Sequence, residues 1–444
     1  MPASDSPNAN PDPLQISTMI TTENTELIIN HDDDTAWIKT RIDKRADAYV
    51  SEWLPRILSE NLSHGLEKLL TKEFSWMGAE QKAHARRAVS EAPPERVEAR
   101  LRQIVDQRVI ASANTHVPPT ARISFQRTLR IPDDGRTYPL PPGMGELPVR
   151  KMEPHAEKLP AAWRTLGGVL VPTYQSEAMW LHFSSRWPTA LKIGTGTVNA
   201  ISGASWSHGL PSNPQGYVVL PEQPWLDGFC VGPGIVRQFI AARLGDGYSV
   251  EEQVSGTTRG GLQIEAFPLL PEPYFDKKIR DTLPRTAEEL AKDYLSRTFR
   301  KPFDGGDISF SLSAMGLGGG GRIKQEIFKD QWEPADWDLS RPSRVWVHLV
   351  EATVWKALTG RAPFSKPIGA QEYAAAGLPW FEYYRDDMDA VEGSAILAQL
   401  QSVFALAQQR EDPAIPIEPS PENLQVKPLG PDAPSNTVTE WNGY

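Results

Sequence analysis

Prolines constrain this chain more than any other residue. Forty of its 444 residues are proline, well above the ~5% usual in proteins, and they run through the middle as well as the ends. Each fixes φ and removes a backbone donor, so it breaks a helix interior or confines a strand to an edge or bulge. The centre is therefore expected to hold many short elements joined by rigid turns. A chain this long also exceeds one ordinary core, and two or three domains are expected.

The balance of 40% hydrophobic and 23% charged residues is that of a globular protein. The net charge of −10 and pI of about 5.4 argue against nucleic acid or anionic membranes as partners, since both need a basic face. Cys230 is the single cysteine, so no intramolecular disulfide is expected and a reducing compartment, the cytoplasm, is favoured. It reads either as a nucleophile or as a small buried hydrophobe beside Phe229 and Val231, and the second reading is preferred. Residues 1–14 lack the pattern of a secretory signal, and no window approaches the ~18 apolar residues of a membrane span.

The fold class expected is α+β, with a β-rich central domain, sandwich- or barrel-like, between α-helical regions. Residues 1–17 read as a disordered tail. A β-prone run, Glu26–Ile29, precedes an α-helical domain over 32–112, with helices near 35–53, 55–71 and 94–112 and a break or bend at Pro55. The basic stretch Gln81–Arg87 reads first as a solvated helix face. The β-rich domain spans 118–352. Its runs at 122–129, 168–172, 178–184, 189–199, 216–220, 261–267, 308–313 and 345–350 are bounded by turn residues. Thr286 and Glu289 form a capping box opening a helical insertion at about 286–299. A C-terminal helical region, 370–411, contains an aromatic bend at Gly377–Phe381 and an amphipathic helix over 390–409. Residues 412–444 read as a second disordered tail.

The stretch Gln223–Ile264 concentrates aromatic, glycine and amide residues. Within it Ala241–Gly247 shares the pattern Ala-x-x-Leu-Gly-x-Gly with Ala314–Gly320. Both are expected to be strand–glycine turn–strand units, a possible duplication; a short helix over 235–240 is the alternative for the first. Gly316–Gly321 also matches GxGxxG, which before a helix would cradle a pyrophosphate. Arg322-Ile323 stands where a phosphate loop needs Gly-Lys-Ser/Thr, and residues 322–328 look more like a strand than a helix, so a structural role is favoured.

No two of the eight histidines are spaced i, i+4, and none joins a cysteine or close carboxylate pair, so no metal and no cofactor are expected. His208 reads as a loop residue. No nucleophile elbow occurs. The acids Asp227, Asp246, Glu251, Glu252, Glu265 and Glu326 could hide a glycosidase pair, with Trp180, Trp187, Trp206 and Trp225 nearby. Arg237, Gln238, Gln253 and Gln263 sit in apolar surroundings, where they would bind a ligand or bond neighbouring backbone. The candidate ligand or partner contacts are Trp225, Asp227, Arg237, Gln238, Gln263, Gly318 and Arg322. The catalytic residues are unknown.

The segments Gln223–Gly228, Arg237–Phe239, Leu244–Tyr248 and Gly260–Ile264, with Phe125–Gly135 and Gly377–Phe381, resemble an uncharacterised protein family of bacteria and fungi over about 118–410. The resemblance implies no activity, cofactor or catalytic residue. A non-catalytic binding or assembly protein, engaging a protein partner or a second copy, is therefore expected. The alternative is an enzyme or binder acting on a phosphorylated small molecule or sugar, through Gly316–Gly321 with Arg322 or through acids near Trp225.

Overall fold

The computed structural model describes residues 20–429, apart from 24, 31–35, 61, 76, 91–92, 106–119, 299–315, 361–368, 384, 386 and 423. The chain divides into two compact units. One combines Asp33–Pro118 with Leu270–Gly306, and the other is formed by the remainder.

The first unit is helical: Ala36–Ser59, Leu62–Thr71, Ala79–Ser90, Pro94–Val105, Pro271–Thr282 and Ala287–Thr298. Leu66, Leu69 and Leu70 recur at helical spacing and are at most 2% exposed, packed with Ala85, Val89, Ala291 and Leu295. Each such leucine contributes roughly 1.5–3 kcal/mol on burial. The expected helical domain thus extends beyond 32–112. The insertion after Thr286 has a preceding companion, Pro271–Thr282, and both belong to this unit, not to the β-rich one. Pro55 does not break its helix, which runs on to Ser59. It lies near the C-terminal end, so its missing N–H removes one late hydrogen bond. Residues 106–112 lie outside the described residues. In the basic stretch Arg86 is paired with Glu67 at 2.6 Å, a solvated face as expected.

The second unit is β-rich, and the α+β class holds. Its larger sheet follows the path Ile20–Glu23, Glu26–Asn30, Thr120–Thr128, Ala178–Ser185, Ile235–Ala242, Gly316–Lys324 and Thr137–Tyr138. The smaller follows Val198–Asn199, Thr189–Thr195, Leu262–Pro268, Ser343–Glu351, Val169–Thr173 and Arg150–Lys151. Neither closes into a barrel. Alternation builds the core between them: Ile123, Phe125, Met179, Leu181 and Phe239 from the larger sheet join Leu191, Ile193, Leu262, Ile264 and Val347 from the smaller. Side chains at every second position share a face, which leaves Lys192, Gly194, Gln263, Glu265, Arg344 and Trp346 on the other face of the smaller sheet.

The two glycine segments differ from each other. Ile235–Ala242 is a strand, as preferred over a helix, and a turn with Gly245 and Gly247 at positive φ follows it. That turn leads into the helix Val250–Ser255, capped by Ser249 and Glu252, not into a second strand. Gly316–Lys324 is no turn at all. It is one continuous strand, antiparallel to Ile235–Ala242 with Arg237 opposite Arg322 and Ile240 opposite Gly318. The duplication therefore fails, and the GxGxxG stretch is extended backbone without the helix a phosphate cradle requires. Its glycines answer a packing demand. A Cβ on Gly318 would meet Val403 and the Tyr248 carbonyl; one on Gly321 would meet the Pro132 carbonyl.

The C-terminal region is also more broken than expected. Residues 390–409 form two short helices, Ala395–Ala398 and Val403–Gln409, capped by Ser394 and Ser402. The aromatic bend contributes a strand, Pro379–Tyr383, which pairs in parallel with Gln425–Leu429. The expected tail from 412 therefore includes a strand. Residues 1–17, 308–313 and 430–444 lie outside the described residues.

Candidate functional site

Most of the sequence-predicted contacts prove to be occupied within the fold. Asp227 is 2% exposed. Its Oδ2 accepts from Gln325 Nε2 at 2.6 Å, and its backbone N–H donates to Gln325 Oε1 at 2.9 Å. Burial pushes its carboxyl up to about 7, against the Gln325 hydrogen bond. Gln238 Nε2 donates to the Leu129 carbonyl at 2.7 Å and its Oε1 accepts from the Ile131 N–H at 2.8 Å. Arg237 Nη1 donates to the Gly320 carbonyl at 3.0 Å and pairs with Asp133 at 3.3 Å. Gln263 Nε2 donates to the Gly196 carbonyl at 2.6 Å, and Gln253 Nε2 to the Tyr248 and Gln401 carbonyls.

Trp225 is buried against Trp180 at 6.5 Å and Tyr383 at 4.9 Å between ring centroids. Arg322 is exposed on its strand, and Gly318 lies beneath Val403. Asp227 and Arg237 thus face separate partners. Cys230 is 1% exposed and burial pushes its thiol up to about 12, which suits the apolar reading and not a thiolate nucleophile.

A different cluster stands on the outer face of the smaller sheet. The register places Glu265 opposite Lys192 on one side and Arg344 on the other. Lys192, 1% exposed, pairs with Glu265 Oε2 at 2.7 Å. Its ammonium also donates to the Ser207 carbonyl and, at 2.5 Å, to the Gly209 carbonyl, and lies 4.3 Å from the Trp206 ring centroid. These contacts fold the segment 206–209 back over the sheet. Gly194 permits the arrangement, because a Cβ there would enter the Trp206 ring.

From the folded-back segment, His208 Nδ1 reaches Glu265 Oε1 at 2.5 Å. Arg344 Nε donates to the same oxygen at 2.5 Å. Burial raises the Glu265 carboxyl, but Lys192, His208 and Arg344 outweigh it and hold it below the ordinary carboxylate value. Burial lowers the Lys192 ammonium, and Glu265 opposes that.

Trp206, His208, Gln263, Glu265, Arg344 and Trp346 line a narrow crevice of about 10 Å³, room for about one water. The Trp206 and Trp346 indole N–H groups are buried and meet no acceptor among the described residues. The chemistry present is a carboxylate-oriented imidazole, a guanidinium with one edge engaged, and two indoles.

Sequence reasoning named Glu265, Gln263, Trp206 and His208 separately and missed Lys192, Arg344 and Trp346. Charges inside otherwise apolar strands, Ala-Leu-Lys-Ile and Gln-Ile-Glu-Ala, were the available signal. No family model matches the chain, and no curated protein or solved structure does.

Proposed function

We propose that the chain is a non-catalytic binding or assembly protein. Its β-rich unit presents loops to a protein partner or a second copy of itself, in a reducing compartment such as the cytoplasm. One observation carries this reading: Asp227, Arg237, Gln238, Gln253 and Gln263 are bonded to backbone or to a neighbouring amide or acid. Groups engaged in this way fix loops rather than await a substrate. No helix among the described residues is long and apolar enough to cross a membrane, and the net charge of −10 disfavours nucleic acid as the partner.

The contact of His208 with Glu265 beside two indoles favours a second reading, an enzyme or binder acting on a sugar or a phosphorylated small molecule. Thermal-shift screening against nucleotides, sugar phosphates and neutral sugars separates the two. The first reading expects no saturable stabilisation by any of them, together with concentration-dependent association in sedimentation velocity or a stoichiometric protein complex. Saturable stabilisation by one of these small-molecule classes at millimolar concentration overturns it.

A further inference from the structure

We propose that the groove at the corner between the helices Pro271–Thr282 and Ala287–Thr298 docks an acidic segment of a partner protein. The inference rests on the partner-binding reading and extends it from the β-rich unit to the helical one.

Space is the first argument. The turn residues Thr282–Arg285, with Arg280, Asp281, Glu289, Lys292 and Asp293, surround a groove of about 460 Å³. That lies within the ~300–1,000 Å³ of clefts that hold ligands. Six of its nine lining residues are charged, which selects a charged occupant over an apolar one.

Pairing decides the sign. Every carboxylate at the groove is already engaged. Asp281 is held by Lys277 at 2.9 Å and Asp293 by Arg100 at 2.8 Å, and Glu289 accepts from the Arg285 N–H at 2.7 Å. Lys292 is engaged in turn by Glu73 at 2.7 Å. The two guanidiniums are not. The Arg280 side chain is exposed and has no acceptor among the described residues. Arg285 approaches Asp281 only to 3.8 Å, beyond hydrogen-bond reach. What the groove offers is therefore donors suited to carboxylates.

Order is the third argument. An exposed arginine is ordinary by itself, but Arg285 is held in place. Its Nη2 donates to the Arg280 carbonyl at 3.0 Å, and its guanidinium lies 5.3 Å from the Trp53 ring centroid. A cation fixed in this way loses little side-chain entropy on meeting an anion. Asp281 and Glu289 in the same lining disfavour a compact dianion such as free phosphate. A peptide can set its carboxylates at the arginines and its neutral atoms beside the acids.

Peptide titration of the full chain provides the test. A trifluoroacetylated pentapeptide amide, Ala-Glu-Leu-Glu-Ala, is compared with its counterpart carrying Gln for both Glu, at constant ionic strength. Fluorine NMR relaxation of the peptide is the readout. The acidic peptide is expected to saturate at millimolar concentration or below and to bind more weakly as salt is raised. The Gln counterpart is expected not to saturate.

Arg280→Gln is expected to weaken binding about two- to fivefold, and Arg280→Gln with Arg285→Gln about tenfold. Should the double variant fail to fold, Arg280→Gln alone carries the comparison, because its side chain bonds to no described residue. Arg164→Gln, at an exposed arginine of the β-rich unit, is expected to leave binding unchanged. Absence of saturation, equal binding of the Gln counterpart, displacement by inorganic phosphate as effective as by unlabelled acidic peptide, or equal losses in Arg164→Gln and Arg280→Gln overturns the proposal. Failure to find a protein partner, with the acidic peptide still saturating and Arg280→Gln weakening it, would overturn the proposed function and leave the groove's preference for carboxylates standing. A protein complex of undiminished affinity in the Arg280→Gln variant would do the reverse.

Discussion

Two buried charges in the β-rich unit make opposite predictions for single side chains. Asp227 is alone with an amide, and its carboxyl is pushed up to about 7 from about 3.9 in an unfolded chain. The folded chain therefore holds a proton that the unfolded chain releases. The associated stability is full below about pH 4 and is lost as pH rises through about 7. Asp227→Asn keeps an acceptor for Gln325 without the charge. Thermal unfolding followed by circular dichroism should show the variant gaining on the parent as pH rises from 4 to 8, by on the order of a few kcal/mol. A constant difference across that range would show that Asp227 is ionised throughout.

Glu265 stands in the reverse position, holding a 1%-exposed Lys192 as well as Arg344 and His208. Glu265→Gln leaves that ammonium without its counter-charge and should destabilise by roughly 3–5 kcal/mol. The double variant Glu265→Gln, Lys192→Met removes the stranded charge, and urea midpoints should show it recovering much of the loss. If the double variant is no more stable than the single, the ion pair is not what makes Glu265 costly to lose.

At the scale of elements, the Gly316–Lys324 strand shows what local pattern withholds. Glycine is depleted in strands because it offers no side chain to pack, so a four-glycine run reads as a turn. The reason for a strand lies elsewhere in the chain: the helix Val403–Gln409 and the Tyr248 carbonyl sit where a Gly318 side chain would be. By contrast, Ala178–Ser185 and Thr189–Thr195 were legible as short apolar runs between turn residues, the first rich in aromatics and the second in β-branched residues. The crevice was half legible. A lysine, a glutamate and an arginine in apolar strands are visible in sequence, but only the pairing of Glu265 with both Lys192 and Arg344 makes them one cluster, and such register is non-local. Gly318→Ala should therefore cost about 1–3 kcal/mol. Gly319→Ala, whose nearest neighbour is the Arg237 side chain at 3.3 Å, asks only for a shift of a few tenths of an ångström in that side chain and should cost less than Gly318→Ala. Equal urea midpoints for the two would refute the helix-seat explanation.

For the whole molecule, the decisive feature is that the helical unit is built from two separated segments. Its core draws Leu66, Leu69 and Leu70 from the first segment and Ala291 and Leu295 from the second. Arg100 reaches Asp293 at 2.8 Å and the Ala287 N–H reaches Glu60 at 2.7 Å. The intervening β-rich segment therefore closes a long loop, whose entropy must be met before these contacts form. Residues 33–118 alone lack two helices of the core and expose the leucine face they cover. A fusion joining 33–118 to 270–306 through a short Gly/Ser linker restores both. The isolated segment should give weak helical circular dichroism and a broad, non-cooperative urea transition, and the fusion a cooperative one. Cooperative unfolding of 33–118 by itself would mean that the first four helices form a complete core, and that Pro271–Thr282 and Ala287–Thr298 are additions to it rather than parts of it.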